Sequence, residues 1–243
     1  MSQVGLPIRP PPRNQSANQI CVLPNLMPMP PMRIVSVNVG RPRLVLWKGT
    51  QVSTGIFKDA VEGPVDVKRL NLAGDRQADL SVHGGPDKAV YAYPAEHYPY
   101  WRKELPEAEL PWGVFGENLT TEGLSEDTLH IGDRVRVGSA LLVVKQPRIP
   151  CYKLTIRFDR DDMIKRFIAS HFSGYYFAVA EEGQVAAGSP IEVVERDPNT
   201  VRVSDISRLY YGETHDHELL ERVLNVEALP EGWREHLRQK VSR

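Results

Sequence analysis

The stretch "TLHIGDRVRVGSALLVVKQP", Thr128 to Pro147, alternates apolar and polar residues, breaks at Gly138-Ser139, and resumes as an apolar run. Two β-strands joined by a glycine turn follow from that pattern, because strand side chains face opposite sides with a period of two. Similar short runs recur in both directions: "RIVSVNVG", "RLVLW", "VDVKRL", "KAVYAY", "YYFAVAEEG" and "IEVVE". Many short strands at this spacing predict an all-β barrel or sandwich with a few inserted helices, not a regular strand-helix alternation, and of the two the barrel is expected.

Two inserted helices are expected. One runs from Pro94 through "AEHYPYWRKEL", interrupted by Pro99. The other lies in "RDDMIKRFIASHF", where Met163, Ile164, Phe167, Ile168 and Phe172 recur at helical spacing and read as core packing. After the turn-rich Asp197-Pro198-Asn199-Thr200 junction, residues 201–243 read as a separate three-helix unit, with Ser204 as a cap and Pro230 in a first turn. At the other end, residues 1–31 carry eight prolines and few bulky apolar groups, so a flexible leader is expected there, with Met32 as an alternative start. The barrel is expected over 32–196.

Composition narrows the function classes. Thirty cationic against thirty-one acidic residues give a net charge of -1, so no global attraction to nucleic acid or anionic membrane is expected. The helical tail, with seven Arg or Lys against eight Asp or Glu, lacks the basic footprint of a nucleic-acid reader. No apolar run reaches the roughly 18 residues of a membrane span, and no secretory pattern opens the chain. Two distant cysteines, Cys21 and Cys151, argue against a disulfide framework and for a reducing, cytoplasmic setting.

Three segments carry candidate chemistry. In "GDRQADLSVHGGPDKAVYAYP", Gly84 and Gly85 permit backbone conformations closed to other residues, while His83 and Lys88 can donate to an anion; a plain glycine turn with a solvated lysine has the same spacing. "HGG" also occurs in esterase oxyanion loops, but no G-x-S-x-G accompanies it. In "GVFGENLTTEGL", Asn118 offers a donor and an acceptor and Glu117 can handle protons, although a surface turn looks the same. In "VKQPRIPCYKL", Arg148 and Lys153 flank Cys151, and cations stabilise a thiolate, which is both a nucleophile and a soft metal ligand; a buried inert cysteine is the alternative. There is no C-x-x-C and no H-E-x-x-H, and His215 with His217 decorates the tail, so any metal would need a cofactor to supply further ligands.

Taken in order, "GDRQADLSVHGGPDKAVYAYP", "FGENLTTEGL" with "HIGDRVRVG", and "QPRIPCYKL" resemble the MOSC family, named for the C-terminal domain of molybdenum cofactor sulfurases, in its YiiM-like branch. The resemblance covers about Met32 to Arg196, and the tail is similar to that branch's three-helix extension. It implies a MOSC-type β-barrel binding a molybdenum cofactor, a metal held by the dithiolene of a phosphorylated pterin, with Cys151 as the protein's metal ligand. Lys58, His83, Gly84, Gly85, Lys88, Asn118 and Arg148 would then be cofactor-binding residues. Cys151, Glu117, Asn118 and His83 would be the catalytic ones. The implied activity is detoxifying reduction of N-hydroxylated bases, amidoximes and hydroxylamines to amines.

The sequence adds its own constraint. An iron-sulfur cluster usually takes four cysteines and a dinucleotide fold a G-x-G-x-x-G, neither of which is present, so a separate electron-donor protein is expected. A homodimer is compatible with this reading. Competing readings are a cofactor carrier or sulfur-transfer protein using Cys151, and a cysteine hydrolase needing a histidine base beside it.

Overall fold

Thr128–Pro147 does form a hairpin. In the computed structural model, which describes residues 32–78 and 84–241, Val135 and Val137 are buried while Arg134 and Arg136, alternating with them, stay partly exposed. Ala140 pairs with Val137 across a two-residue turn. Gly138 has φ +57°, and a Cβ there would lie 2.4 Å from the Gln184 carbonyl oxygen, so the turn requires glycine.

Around this hairpin run β1 (Arg33–Val39), β2 (Arg43–Trp47), β3 (Thr50–Thr54), β4 (Asp59–Ala60), β5 (Val65–Lys68), β6 (Asn71–Leu72), β7 (Val90–Pro94), α1 (Tyr98–Glu104) and β8 (Leu119–Glu122). The hairpin itself is β9 (Arg134–Val137) and β10 (Ala140–Pro147). There follow α2 (Lys153–Phe158), α3 (Met163–Ala169), β11 (Tyr175–Glu181), β12 (Gly183–Val185), β13 (Ile191–Glu195), α4 (Val203–Tyr211), α5 (His217–Leu224) and α6 (Glu231–Val241).

Eight strands form one sheet in the order β13-β9-β10-β11-β7-β8-β1-β4, antiparallel except for the β7–β8 pair. Its ends meet. Ile34 N–H donates to the Ser189 carbonyl, Gly188 N–H to the Ile34 carbonyl and Ile191 N–H to the Met32 carbonyl, joining β1 to the segment that leads into β13. The sheet therefore curls round into a barrel whose seam lies between β1 and the lead into β13, with β4 beyond the seam. A three-stranded sheet (β12-β5-β6) and the β2–β3 hairpin lie outside it.

Inward-facing Val37, Val135, Leu142, Val144 and Phe177 belong to one hydrophobic cluster, which continues through Ile206, Leu209, Val223 and Leu237 of the C-terminal helices. Those helices pack on the barrel wall through α4 against β10. A second cluster, rich in aromatics, gathers Tyr93, Trp101, Phe115 and Phe167 beneath α1 and α3. Trp101 Nε1 donates to Tyr93 Oη at 2.6 Å, which lets two polar aromatic atoms be buried together.

Two boundary expectations change. Pro99 does not interrupt a helix: a 3₁₀ turn over Ala95–His97 precedes α1, and Pro99 sits in its first turn, where the missing N–H is not needed. Ser204 lies inside α4; Arg202 is the capping residue, and its N–H donates to the Asp205 carboxylate at 3.0 Å. The leader falls outside the described residues. Among those described, no helix is long and apolar enough to cross a membrane.

Candidate functional site

After β10 the chain turns through Arg148, Ile149, Pro150 and Cys151 into α2, whose start is set by the Leu154 N–H donating to the Cys151 carbonyl at 2.9 Å. This loop forms one wall of a cleft. Opposite it are Thr54 to Ile56 and Lys58 between β3 and β4, and Asp75 to Ala78 beyond β6; Lys88, Tyr91, Gly116, Asn118, Lys153 and Tyr176 complete the lining. The cleft encloses about 630 Å³, part of it open to solvent.

Arg148 is buried, with its guanidinium 4.8 Å from the Tyr91 ring centre and 5.5 Å from that of Phe167, and it donates to the Phe115 carbonyl. A planar delocalised cation suits a slot between aromatic faces. Lys58 is also buried, and its Nζ is 2.5 Å from Asp75 Oδ1. Burial pushes the Lys58 ammonium below its ordinary pKa, and Asp75 acts in the opposite direction. Asp75 is a hub: Oδ1 also accepts from the Gly40 N–H at 2.8 Å, and Oδ2 from Asn118 Nδ2 at 2.9 Å.

The sequence-predicted residues separate into groups. Lys58, Lys88, Asn118, Arg148 and Cys151 meet in the cleft. Asn118 acts as a strut there, since its Oδ1 accepts from the Tyr91 N–H and its Nδ2 is committed to Asp75 and the Asn38 carbonyl. Glu117 does not line the cleft. It is fully buried behind the wall, where its carboxylate accepts from Tyr98 Oη, the Gly113 and Phe115 N–H groups and Thr120 Oγ1. Burial nevertheless raises its pKa above the ordinary carboxylate value. Gly84 and Gly85 line a neighbouring recess with Pro86, Asp87 and Pro230, not the cleft. His83 lies outside the described residues.

Sequence reading passed over Asp75 and Arg76 as lining residues, whereas Lys153, expected beside Cys151, does line the cleft. Asp75 and Arg76 stand inside the quoted "GDRQADL", but a carboxylate after glycine gives no sign of burial. Their presence adds to the electrostatics: among the described residues, Lys58, Arg76, Lys88, Arg148 and Lys153 line the cleft with one carboxylate, Asp75, which is paired with Lys58. The backbone also comes close, because a Cβ at Gly55 would sit 2.6 Å from the Arg76 carbonyl oxygen. A thiol among cations is a donor set that fits an anionic, sulfur-bound metal group.

Cys151, Lys88, Ile149 and Tyr176 line a second recess too, on the far side of the loop. Its other walls are Gln146 and Pro147 from β10, Pro150 from the loop, and Tyr210, Gly232, Trp233 and His236 from α4 and α6, around about 890 Å³ that is partly open to solvent.

Comparison with known proteins places this architecture. The model of the MOSC domain matches residues 79–192, and that of the YiiM-like 3-alpha helix domain matches 203–243. The chain belongs to the MOSC-domain family, whose domain is generally a molybdenum-cofactor-binding one, and to its YiiM-like branch with a C-terminal three-helix unit. It is 40% identical to protein YiiM of Escherichia coli K12 over 74% of this chain and 81% of that one. The crystal structure of YiiM from Geobacillus stearothermophilus superposes with a TM-score of 0.72 at 34% identity, covering 87% of this chain and all of that one. A protein of Gibberella moniliformis named "Reductase" is 36% identical over 66% of this chain, which spans 29% of that protein's length.

Proposed function

We propose that the chain is a molybdenum-cofactor-dependent reductase that converts N-hydroxylated compounds to amines, using electrons from a separate donor protein. The observation that carries this reading is the meeting of the Cys151 thiol with five cationic side chains in one cleft of a MOSC chain. A relative that carries the name "Reductase" supports a redox role.

In this reading Cys151 holds the metal, and Arg76, Lys88, Arg148 and Lys153 hold the anionic groups of the pterin. When bound, the cofactor supplies two-electron redox chemistry. The overall change is R–NH–OH plus two electrons and two protons to R–NH2 plus water. The N–O bond breaks, and the oxygen leaves as water. The chain's own residues have three tasks. Lys58 with Asp75 fixes the cleft wall. Arg148, wedged between aromatic rings, presents a fixed positive charge to the cofactor side. Lys88, whose ammonium burial pushes toward proton release, is the group we assign to proton delivery. The two cysteines of the sequence are too few for a four-cysteine cluster, so electrons come from another protein.

The test is metal analysis of protein made in a molybdenum-supplied host, beside Cys151→Ala, followed by reduction of an N-hydroxylated compound with a reduced dye as donor. Near-stoichiometric molybdenum lost in the variant, with amine produced by the wild type, is the expected result. Molybdenum bound without turnover would replace the reductase by a carrier or sulfur-transfer protein, and no molybdenum in either sample would sink both.

A further inference from the structure

The β2–β3 hairpin stands outside the barrel and leaves part of its surface apolar. Leu44 and Leu46 are 67% and 74% exposed, and being two apart on one strand they share a face. Ser53 and Gln51 of β3, both exposed, are their cross-strand partners. A single exposed leucine is ordinary, but two side by side, on a hairpin that pairs with no other strand among the described residues, leave an apolar spot to solvent.

The surroundings of that spot are basic. Residues 41–58 contain Arg41, Arg43, Lys48 and Lys58 and no Asp or Glu. Lys48 is paired with Asp161 and Lys58 with Asp75, but Arg43 and Arg157 form no ion pair among the described residues. Instead the two guanidiniums share one ring, Arg43 at 3.7 Å and Arg157 at 5.3 Å from the centre of Phe57. Arg157 Nε is buried and has no hydrogen-bond partner among the described residues. Burial, and then the Arg43 charge, push the Arg157 guanidinium below its ordinary pKa, with Asp59 acting the other way. Like charges gathered beside an apolar spot suit a partner that brings carboxylates.

Position ties this surface to the cleft. Arg43 pairs across the hairpin with Thr54, and Thr54, Gly55 and Ile56 line the cleft. Arg157 belongs to α2, the helix into which the Cys151 loop leads.

We propose that the outer face of β2–β3, with Arg43 and Arg157, is the docking surface for an acidic electron-carrier protein that delivers its electrons into the cleft. The inference rests on the reductase reading for the purpose of the contact; the contact itself needs no cofactor. Leu44 and Leu46 supply the desolvated centre, and the guanidiniums steer carboxylates onto its edge. Each amine formed takes two electrons, so two one-electron carriers are oxidised in turn, and two protons enter from solvent.

The probe is a plant-type [2Fe–2S] ferredoxin, an acidic one-electron carrier, titrated calorimetrically into cofactor-free protein as wild type, Arg43→Glu and the double variant Leu44→Ser with Leu46→Ser. All three positions are exposed and outside the cleft lining, so folding and metal content should match wild type. Wild-type binding that weakens as salt rises, and that falls at least about tenfold in each variant, is expected. In molybdenum-loaded protein, benzamidoxime reduction driven by reduced ferredoxin should lose at least about tenfold in kcat/KM for the ferredoxin, while reduction driven by reduced methyl viologen stays within about twofold of wild type. No ferredoxin binding, or binding equal in all three proteins, overturns the docking surface, as does an equal loss with both donors. A wild-type dimer in sedimentation that the variants break would give the face to a second copy and overturn it too. Binding in the expected order by protein that reduces no N-hydroxylated compound even with the dye overturns the reductase reading instead, and leaves an acidic-protein site.

Discussion

Lys58 and Asp75 form an ion pair buried at both ends, with Nζ 2.5 Å from Oδ1 and side-chain exposures of 7% and 1%. A buried pair is costly to assemble, but breaking it from one side is worse, since it strands a charge. Asp75→Ala would leave Lys58 Nζ, the Gly40 N–H and Asn118 Nδ2 without this acceptor, and is expected to cost about 3–5 kcal/mol in urea unfolding. Adding Lys58→Met should recover part of that loss. Strictly additive losses in the double-mutant cycle would show that the pair is not coupled.

Arg148 is expected to reject even lysine. The guanidinium sits between Tyr91 and Phe167 while donating to the Phe115 carbonyl, and a lysine has neither the flat faces nor the fork. Arg148→Lys should cost about 1–3 kcal/mol and, in the proposed cofactor-binding role of the cleft, lower molybdenum retention. Thermal unfolding with metal analysis checks both.

Glu117 gives a pH-dependent prediction. Burial raises its pKa above the ordinary 4.5 of a glutamate, while hydrogen bonds from Tyr98 and the Gly113 N–H act against the rise. Between 4.5 and the raised value the folded state holds more of the proton than the unfolded state, so its contribution to stability falls as pH rises through that window. Glu117→Gln removes the titration and turns an amide donor toward groups that already donate, at a cost of about 1–3 kcal/mol. The gap between wild type and variant should be widest below pH 4.5 and narrow above it. Urea titrations across that range would refute the idea if the gap stayed constant.

The C-terminal helices should unfold with the barrel. Leu237 is fully buried in the cluster that also contains Val135 and Leu142, so Leu237→Ala is expected to cost about 2–5 kcal/mol. One transition, coincident by fluorescence and circular dichroism, is the expected outcome; two would mean independent units.

How much of this was legible beforehand follows from range. Hairpins such as 128–147 announce themselves because turn and alternation are local. The helix over Lys153–Phe158 did not, since six residues containing Thr155 and Ile156 give little helical signal. Cys151, Arg148 and Lys88 were picked out by type and neighbourhood and Lys58 only through the family resemblance, and the fold gathers all four. Glu117 had the residue type of an acid-base group, but only the surrounding donors reveal it as a buried brace. Asp75 depends on partners 17 and 43 residues away, a distance at which no short motif operates.

The barrel's seam has a consequence for biosynthesis. Residues 32 and 34 bond to residues 188–191, so β1, once made, waits for more than 150 further residues of chain before the cylinder can close. Closing so long a loop carries its full entropic cost before any seam bond forms, which makes the fold one of high contact order. Until then the unsealed flank of β1 is an open template for another nascent chain, and co-translational chaperones would find their work there.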